Sequence, residues 1–200
     1  MRFKFAHYLF GIYLILSIVL AISPYDRMTW FIENFVIWVL VGGLVLTYRK
    51  FKFSNWSYSF MFIFVVLHTI GGHYTFENVP FSFITDMFGF ERNMFDRLAH
   101  FCVGFFAYPI AELLLRSKKV KSRAVILMFS AFAIIAWAGF YEIMEWIYAV
   151  VSNPELGAAF LGSQGDIWDA QKDILMDSLG ALFATLIFWL KNRSKLNFPI

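Results

Sequence analysis

Charged residues and cysteine are both scarce in this chain of 200 residues. Lysine, arginine, aspartate and glutamate make up 16% of it, whereas a soluble domain contains about 25%. Cys102 is the one cysteine, which excludes an internal disulfide framework and a cysteine-based zinc site. The absence of a Walker loop and of a GxGxxG motif gives no indication of a nucleotide cofactor. Instead, 60% of the residues are hydrophobic and the mean hydropathy is +0.65, which argues against a soluble or disordered protein.

Six apolar stretches are long enough, or nearly long enough, to cross a membrane, which takes about 20 residues per helix. We place the spans near residues 7–23, 30–48, 56–72, 95–116, 124–151 and 167–190. They lack the alternating pattern of barrel strands, and helices satisfy their own backbone hydrogen bonds in lipid. The sequence therefore predicts an all-α polytopic membrane helical bundle, with residues 1–200 forming a single integral membrane domain.

Lysine and arginine are concentrated on one side of these spans. The N-terminus, the loops after the second and fourth spans, and the C-terminus hold 13 of the 17 basic residues and no acidic residue. Basic residues mark the cytoplasmic ends of membrane helices. We therefore expect both termini in the cytoplasm and the first, third and fifth loops outside. The same distribution explains the sequence pI near 9.0 without a nucleic-acid partner.

Ionisable residues gather at the outer ends of the last four spans. Such residues are costly inside a membrane, so each is a candidate for function. They are, in chain order, His68, His73, Asp96, Arg97, His100, Glu142, Glu145, Asp166, Asp169, Lys172, Asp173 and Asp177. Four helices thus deliver acids and histidines to one depth in the outer half of the membrane.

Helical spacing places the aspartates of the sixth span on one face. Asp169, Asp173 and Asp177 fall within an arc of about 80° on a helix of 3.6 residues per turn. Gly180 lies below them on the same face, and small residues of this kind let helices pack closely. The three carboxylates are therefore expected to point into the bundle.

Carboxylates outnumber basic side chains in this region. Burying ionised carboxylates is costly, so we expect some to be protonated, a bound cation to neutralise them, or a polar ligand to fill an aqueous cavity. Carboxylate with imidazole suits zinc, manganese or iron, and Asp96 and His100 share a helical face. The candidate ligands of such a divalent metal are His68, His73, His100, Asp96 and Asp173.

A second set of residues is assigned catalytic roles, as general base, further ligand or holder of an anionic group. The candidates are Glu142, Glu145, Asp169, Arg97 and Lys172. The two glutamates could equally be ion-pair partners of the two basic side chains. The remaining polar network comprises Asp166, Gln171, Asp177 and Glu112.

Structural interpretations of these residues stay open. The aspartate stripe of the sixth span could be a hydrogen-bonded network that specifies packing, and Asp96 could be a helix cap. His68 and His73 are five residues apart, so they face the same way only if the helix breaks at the two glycines between them. Glu112, near the cytoplasmic end of the fourth span, is expected to pair with a basic residue. If it faces a cavity instead, it extends a polar path inward.

Four ordered motifs resemble the YjdF-like family of bacterial inner-membrane proteins. They are His68-Thr-Ile-Gly-Gly-His73-Tyr-Thr, Arg92-Asn-Met-Phe-Asp96-Arg-Leu-Ala-His100-Phe, Tyr141-Glu-Ile-Met-Glu145-Trp and Gly165-Asp-Ile-Trp-Asp169-Ala-Gln-Lys-Asp173. The resemblance implies a multi-pass protein of the bacterial inner membrane with six helices, and it implies no particular reaction.

A weaker similarity is to VanZ-like membrane proteins, which are linked to glycopeptide-antibiotic tolerance. It is carried by Asp96-Arg97-x-x-His100-Phe101 and by the segment from Asp173 through Asp177 to Gly180. This chain departs from that pattern with Arg97 in place of a lysine and Asp177 in place of an asparagine. It is an analogy of residue order only.

Three functions are compatible with this sequence. The one we favour is a metal- or carboxylate-dependent hydrolase or transferase acting on a lipid or lipid-linked envelope substrate. The alternatives are a proton- or cation-coupled transporter and a non-catalytic membrane binding protein. Membrane lipids are the expected partners and nucleic acid is not.

Overall fold

The computed structural model describes residues 4–151 and 163–197, and every regular element in these ranges is helical. The helices are α1 (Phe5–Leu20), α2 (Arg27–Thr47), α3 (Asn55–Tyr74), α4 (Ser82–Phe88), α5 (Phe95–Val103), α6 (Ala107–Ser117), α7 (Arg123–Val151) and α8 (Asp169–Asn192). A short 3-10 turn joins α5 to α6, and another follows α8. The prediction of an all-α chain is confirmed.

Four segments in the described part of the chain are long and apolar enough to cross a membrane. They are Arg27–Thr47, Phe95–Ser117, Arg123–Val151 and Asp169–Leu196. The apolar helix α1 has 16 residues, shorter than a typical span, and α3 is not among the four. The chain is thus an all-helical membrane protein with four candidate spans, and the crossings by α1 and α3 stay predictions.

Local sequence explains where several helices begin and end. The Asp26 carboxylate accepts a hydrogen bond of 2.7 Å from the Thr29 backbone N–H and caps α2. This hydrogen bond lowers the pKa of the Asp26 carboxyl. At its other end α3 stops at Thr75, which adopts a left-handed conformation (φ 59°) and donates its backbone N–H to the Gly71 carbonyl.

The predicted fourth span is interrupted near its centre. Residues Gly104–Phe106 form a 3-10 turn between α5 and α6. Pro109 has no backbone N–H to donate to the carbonyl of Phe105, and its ring crowds that carbonyl, so the regular α-helical ladder is broken there. The turn separates α5, which carries Asp96 and His100, from α6, which carries Glu112.

Helix α8 lies at the centre of the bundle and packs on α5, α6 and α7. Its closest approach is at Gly180, where an added Cβ would lie 1.9 Å from the carbonyl oxygen of Phe101. A Cβ at Gly104 would lie 2.3 Å from the backbone nitrogen of Ala181. Only glycine fits at either position, so this pair of residues brings the acidic face of α8 directly against α5.

Helix α3 is the second central element, packing on α1, α2, α5 and α6. It buries polar side chains, among them Ser57, His68 and Thr69. Two neighbours of these inner helices, α2 and α7, carry large apolar side chains on their outer faces, such as Leu46 (82% exposed) and Val150 (67% exposed). In a membrane protein such faces are the surfaces that lipid covers.

Candidate functional site

The close packing of α5 against α8 assembles a cluster of one histidine and three carboxylates. We call Asp96, His100, Asp173 and Asp177 the His100 cluster. His100 Nδ1 lies 3.2 Å from Asp177 Oδ2, and its Nε2 lies 3.7 Å from both Asp96 Oδ1 and Asp173 Oδ1. One nitrogen of the imidazole is therefore held by a single carboxylate, while the other faces two.

The His100 cluster has the chemistry of a divalent metal site. Asp96, His100 and Asp173 each offer one ligand atom, and these three atoms lie within 4.8 Å of one another. Donation of the Nδ1 proton to Asp177 leaves Nε2 with its lone pair free to ligate. A carboxylate that orients a histidine in this way commonly stands behind a metal-binding imidazole.

Two arginines, one in α5 and one in the loop before it, bind aspartates at the start of α8. Arg97, which is 4% exposed, donates to Asp173, to Asp169 at 2.5 Å and to Asp166 at 3.3 Å. Arg92 donates to Asp169 as well and lies 3.7 Å from Asp166. The guanidinium of Arg97, predicted to hold an anionic group, is engaged here with aspartates.

Lys172 and Gln171 lie on the exposed side of α8. The Lys172 ammonium, about half exposed, is 2.7 Å from Asp166 Oδ2. Its hydrogen bond lowers the pKa of the Asp166 carboxyl, which also accepts from the backbone N–H of Trp168. Lys172 therefore binds Asp166 from the exposed side, and neither Lys172 nor Gln171 lines the cavity.

A cavity of about 480 Å³ adjoins the His100 cluster. Its polar lining includes Glu145 and Tyr141 of α7. On the wall formed by α2 and α3, Glu33 Oε2 lies 3.0 Å from His68 Nε2, and both side chains are buried. Apart from Thr29 and Thr75, the remaining lining is apolar. Five carboxylates and two imidazoles thus share one cavity, which is of a size typical for small-ligand sites.

Glu33 is the main residue that the sequence interpretation missed. It lies near the start of the apolar helix α2. An ionisable side chain is costly to bury in a membrane, so its presence in such a helix makes it a candidate for function. Arg92 belongs to a family motif but is not among the predicted site residues. Its partners are set by how the loop before α5 approaches α8, which no local pattern in the sequence reveals.

Three further predicted residues do not line the cavity. His73 donates from Nδ1 to the Leu20 carbonyl at 2.8 Å, tying the end of α3 to that of α1. Glu112 forms a separate network with Ser54 and Arg116. Glu142 adjoins Tyr141 on α7, and its Oε1 is buried without a hydrogen-bond partner in the described chain.

The glycines between His68 and His73 do not break α3, which remains helical to Tyr74. They allow close packing instead. A Cβ at Gly72 would lie 3.0 Å from the Cβ of Glu33, and a Cβ at Gly71 would lie 2.3 Å from the Phe76 ring. The two histidines therefore face different ways, and only His68 reaches the cavity.

The family model described as "Predicted membrane protein (DUF2238)" matches residues 5–194. The chain belongs to the DUF2238 family. It is also 32% identical over 176 residues to "Inner membrane protein YjdF" of Escherichia coli (strain K12), covering 87% of this chain and 83% of that protein. The resemblance of the four motifs to YjdF-like proteins is thus confirmed. No solved structure matches this DUF2238 chain.

Proposed function

We propose that this DUF2238 chain is a metal-dependent hydrolase or transferase that acts on a lipid or lipid-linked envelope substrate. One observation carries the proposal. His100 directs Nε2 toward Asp96 and Asp173 at the edge of a cavity, while Asp177 holds its other nitrogen. A cation bound there would neutralise part of the carboxylate excess and polarise a water or a substrate oxygen.

The remaining cavity groups supply roles around such a cation. Glu145 lines the cavity and is our candidate for the general base, with Glu142 three residues before it as the alternative. Arg97 and Asp169 position α8, since the guanidinium binds that carboxylate at 2.5 Å. The pair of Glu33 and His68 offers a second acid–base group on another wall of the same cavity.

The proposed topology has six spans, with α1 and α3 as the additional two and with both termini in the cytoplasm. It is supported by the basic segments before α1, between α2 and α3, between α6 and α7, and after α8. In this orientation the His100 cluster lies in the outer half of the inner membrane, where lipid-linked envelope precursors are exposed.

Transport is less well supported than catalysis. A coupled transporter needs polar groups that continue across the membrane. Glu112, the candidate for such a continuation, accepts hydrogen bonds from Ser54, Ser57 and Arg116 and does not line the cavity. In the proposed orientation, the cavity lining on the cytoplasmic side is apolar.

The metal content of the purified protein tests the proposal. The protein is extracted in detergent without chelators, loaded in turn with zinc, manganese and iron, and measured by mass spectrometry. We expect near-stoichiometric metal in the wild type, loss of it in His100→Ala and Asp173→Asn, and retention in His73→Ala. The last variant removes a histidine at the same end of the bundle that does not line the cavity.

Turnover of labelled phospholipids and polyprenyl-linked substrates by the metal-loaded wild type is the second measurement. If the metal content of the wild type is no higher than background after all three loadings, the proposal is wrong. Equal metal loss in His73→Ala and His100→Ala would show that the His100 cluster is not the site.

A further inference from the structure

The cavity beside the His100 cluster changes from polar to apolar along three helices in the same direction. On α2 it runs from Glu33 to Leu40, a rise of roughly 10 Å at 1.5 Å per residue. On the α5–α6 segment it runs from Asp96 to Ile110, and on α7 from Glu145 back to Ala133. In the proposed orientation all three paths lead from the outer half of the membrane toward its centre.

The apolar part of the cavity opens sideways between α2 and α7. Both helices line it, yet α2 packs mainly on α3, and α7 packs mainly on α6 and α8. Three lining residues are also exposed on the protein surface: Val36 (39%), Val39 (59%) and Trp137 (51%). All three are apolar and lie within candidate membrane spans, so in the described chain this opening faces the hydrocarbon of the bilayer.

We propose that one hydrocarbon chain of a bilayer lipid enters the cavity between α2 and α7 and occupies its apolar part, with its head group at the His100 cluster. Apolar walls favour a hydrocarbon over water, and an opening at membrane depth admits it without passage through solvent. The head group meets more carboxylates than cations, so an anionic head requires the metal ion. That last step rests on the proposed function, whereas the entry of the chain does not.

Photo-crosslinking tests this route directly. The protein is reconstituted in vesicles of phosphatidylethanolamine and phosphatidylglycerol that contain a phosphatidylethanolamine with a diazirine on one acyl chain. After illumination the adducts are mapped by peptide mass spectrometry. We expect adducts on Phe64 and Ala99, which line the cavity and are buried (8% and 3% exposed), and none on Phe188, which is buried outside it.

A matched pair of variants on α7 locates the entrance. Ala133 lines the cavity, whereas Ala136 is exposed and does not. We expect Ala133→Phe to reduce the adducts on Phe64 and Ala99 about tenfold, the effect of losing about 1.4 kcal/mol of chain binding, and Ala136→Phe to leave them unchanged.

The crosslinking tests the lipid route, and the metal content tests the proposed reaction separately. Wild-type vesicles without adducts on Phe64 and Ala99, or equal adducts there and on Phe188, would overturn it whether or not either variant folds. Metal bound without interior adducts removes the lipid route and leaves the metal site. Interior adducts without bound metal support the route and count against the proposed reaction.

Discussion

Two buried carboxylate clusters, one near each end of the bundle, differ in how completely their oxygens are bound. Glu112 accepts from the Ser54 backbone N–H at 2.9 Å, the Ser54 hydroxyl at 2.7 Å, the Ser57 hydroxyl at 2.5 Å and Arg116 at 2.8 Å. Asp177 in the His100 cluster has Oδ2 on the imidazole and Oδ1 buried without a hydrogen-bond partner in the described chain.

The comparison shows that burial of an acid does not by itself mark a site. The Glu112 network connects the start of α3 to α6. Both carboxylate oxygens of Glu112 accept hydrogen bonds, so the network has a structural role. The His100 cluster has too few donors for its carboxylates and borders a cavity. A cation or a polar ligand in the cavity would bind the carboxylate oxygens that lack donors.

Removing Arg97 has the largest expected effect. Arg97→Met leaves the buried Asp173 without its arginine, whereas Asp169 keeps Arg92, and we expect the free energy of unfolding to fall by about 3–5 kcal/mol. Unfolding by a denaturing detergent measures it. Lys172→Met, at an exposed ion pair, is the control and should cost less than about 1 kcal/mol. Equal effects would show that the start of α8 is not held by the buried arginine.

Glu112→Ala should lower the free energy of unfolding by less than Arg97→Met does, and it should leave the metal site intact. The substitution leaves the donors of Ser54 and Ser57 without their acceptor, and we expect a loss of about 1–3 kcal/mol. Glu91→Ala, at an exposed acid, is the control. Metal content should equal that of the wild type in both variants. If Glu112→Ala lost metal while remaining folded, the Glu112 network would be coupled to the His100 cluster, and the contrast between the two would not hold.

Asp177→Asn should have the smallest effect on stability and a clear one on the metal. An amide of nearly the same shape removes a buried charge, so we expect a change in unfolding free energy below about 1.5 kcal/mol. Metal affinity should fall about 10–100-fold, as expected when the carboxylate behind a ligating histidine is lost. Competition with a fluorescent chelator measures this affinity. Unchanged affinity would assign Asp177 to packing alone.

Helical spacing and the long apolar stretches were enough to predict part of this arrangement. Asp96 and His100 share a face because they are four residues apart, and Asp173 and Asp177 repeat that spacing on α8. The all-helical architecture followed from the long apolar stretches. Gly180 marked the face on which α8 packs closely, and its contact is with the backbone of α5.

The rest depends on contacts between distant segments. Glu33 meets His68 only because α2 lies against α3, and nothing near Glu33 in the sequence indicates that partner. His73 resembles a ligand in the sequence, but the unbroken helix turns it toward Leu20. Spacing along one helix fixes which residues share a face, whereas the choice of facing helix is a property of the whole bundle.

The contact at Gly72 bears on how the cavity could diverge among related chains. Glu33 contacts this glycine where α2 packs on α3, and the same Glu33 lines the cavity. A glycine codon becomes an alanine codon by one base change, and the added methyl would lie 3.0 Å from Glu33 Cβ, so Glu33 would have to give way by a few tenths of an ångström. One apolar substitution outside the cavity lining can therefore shift a carboxylate of the cavity without altering a single polar residue.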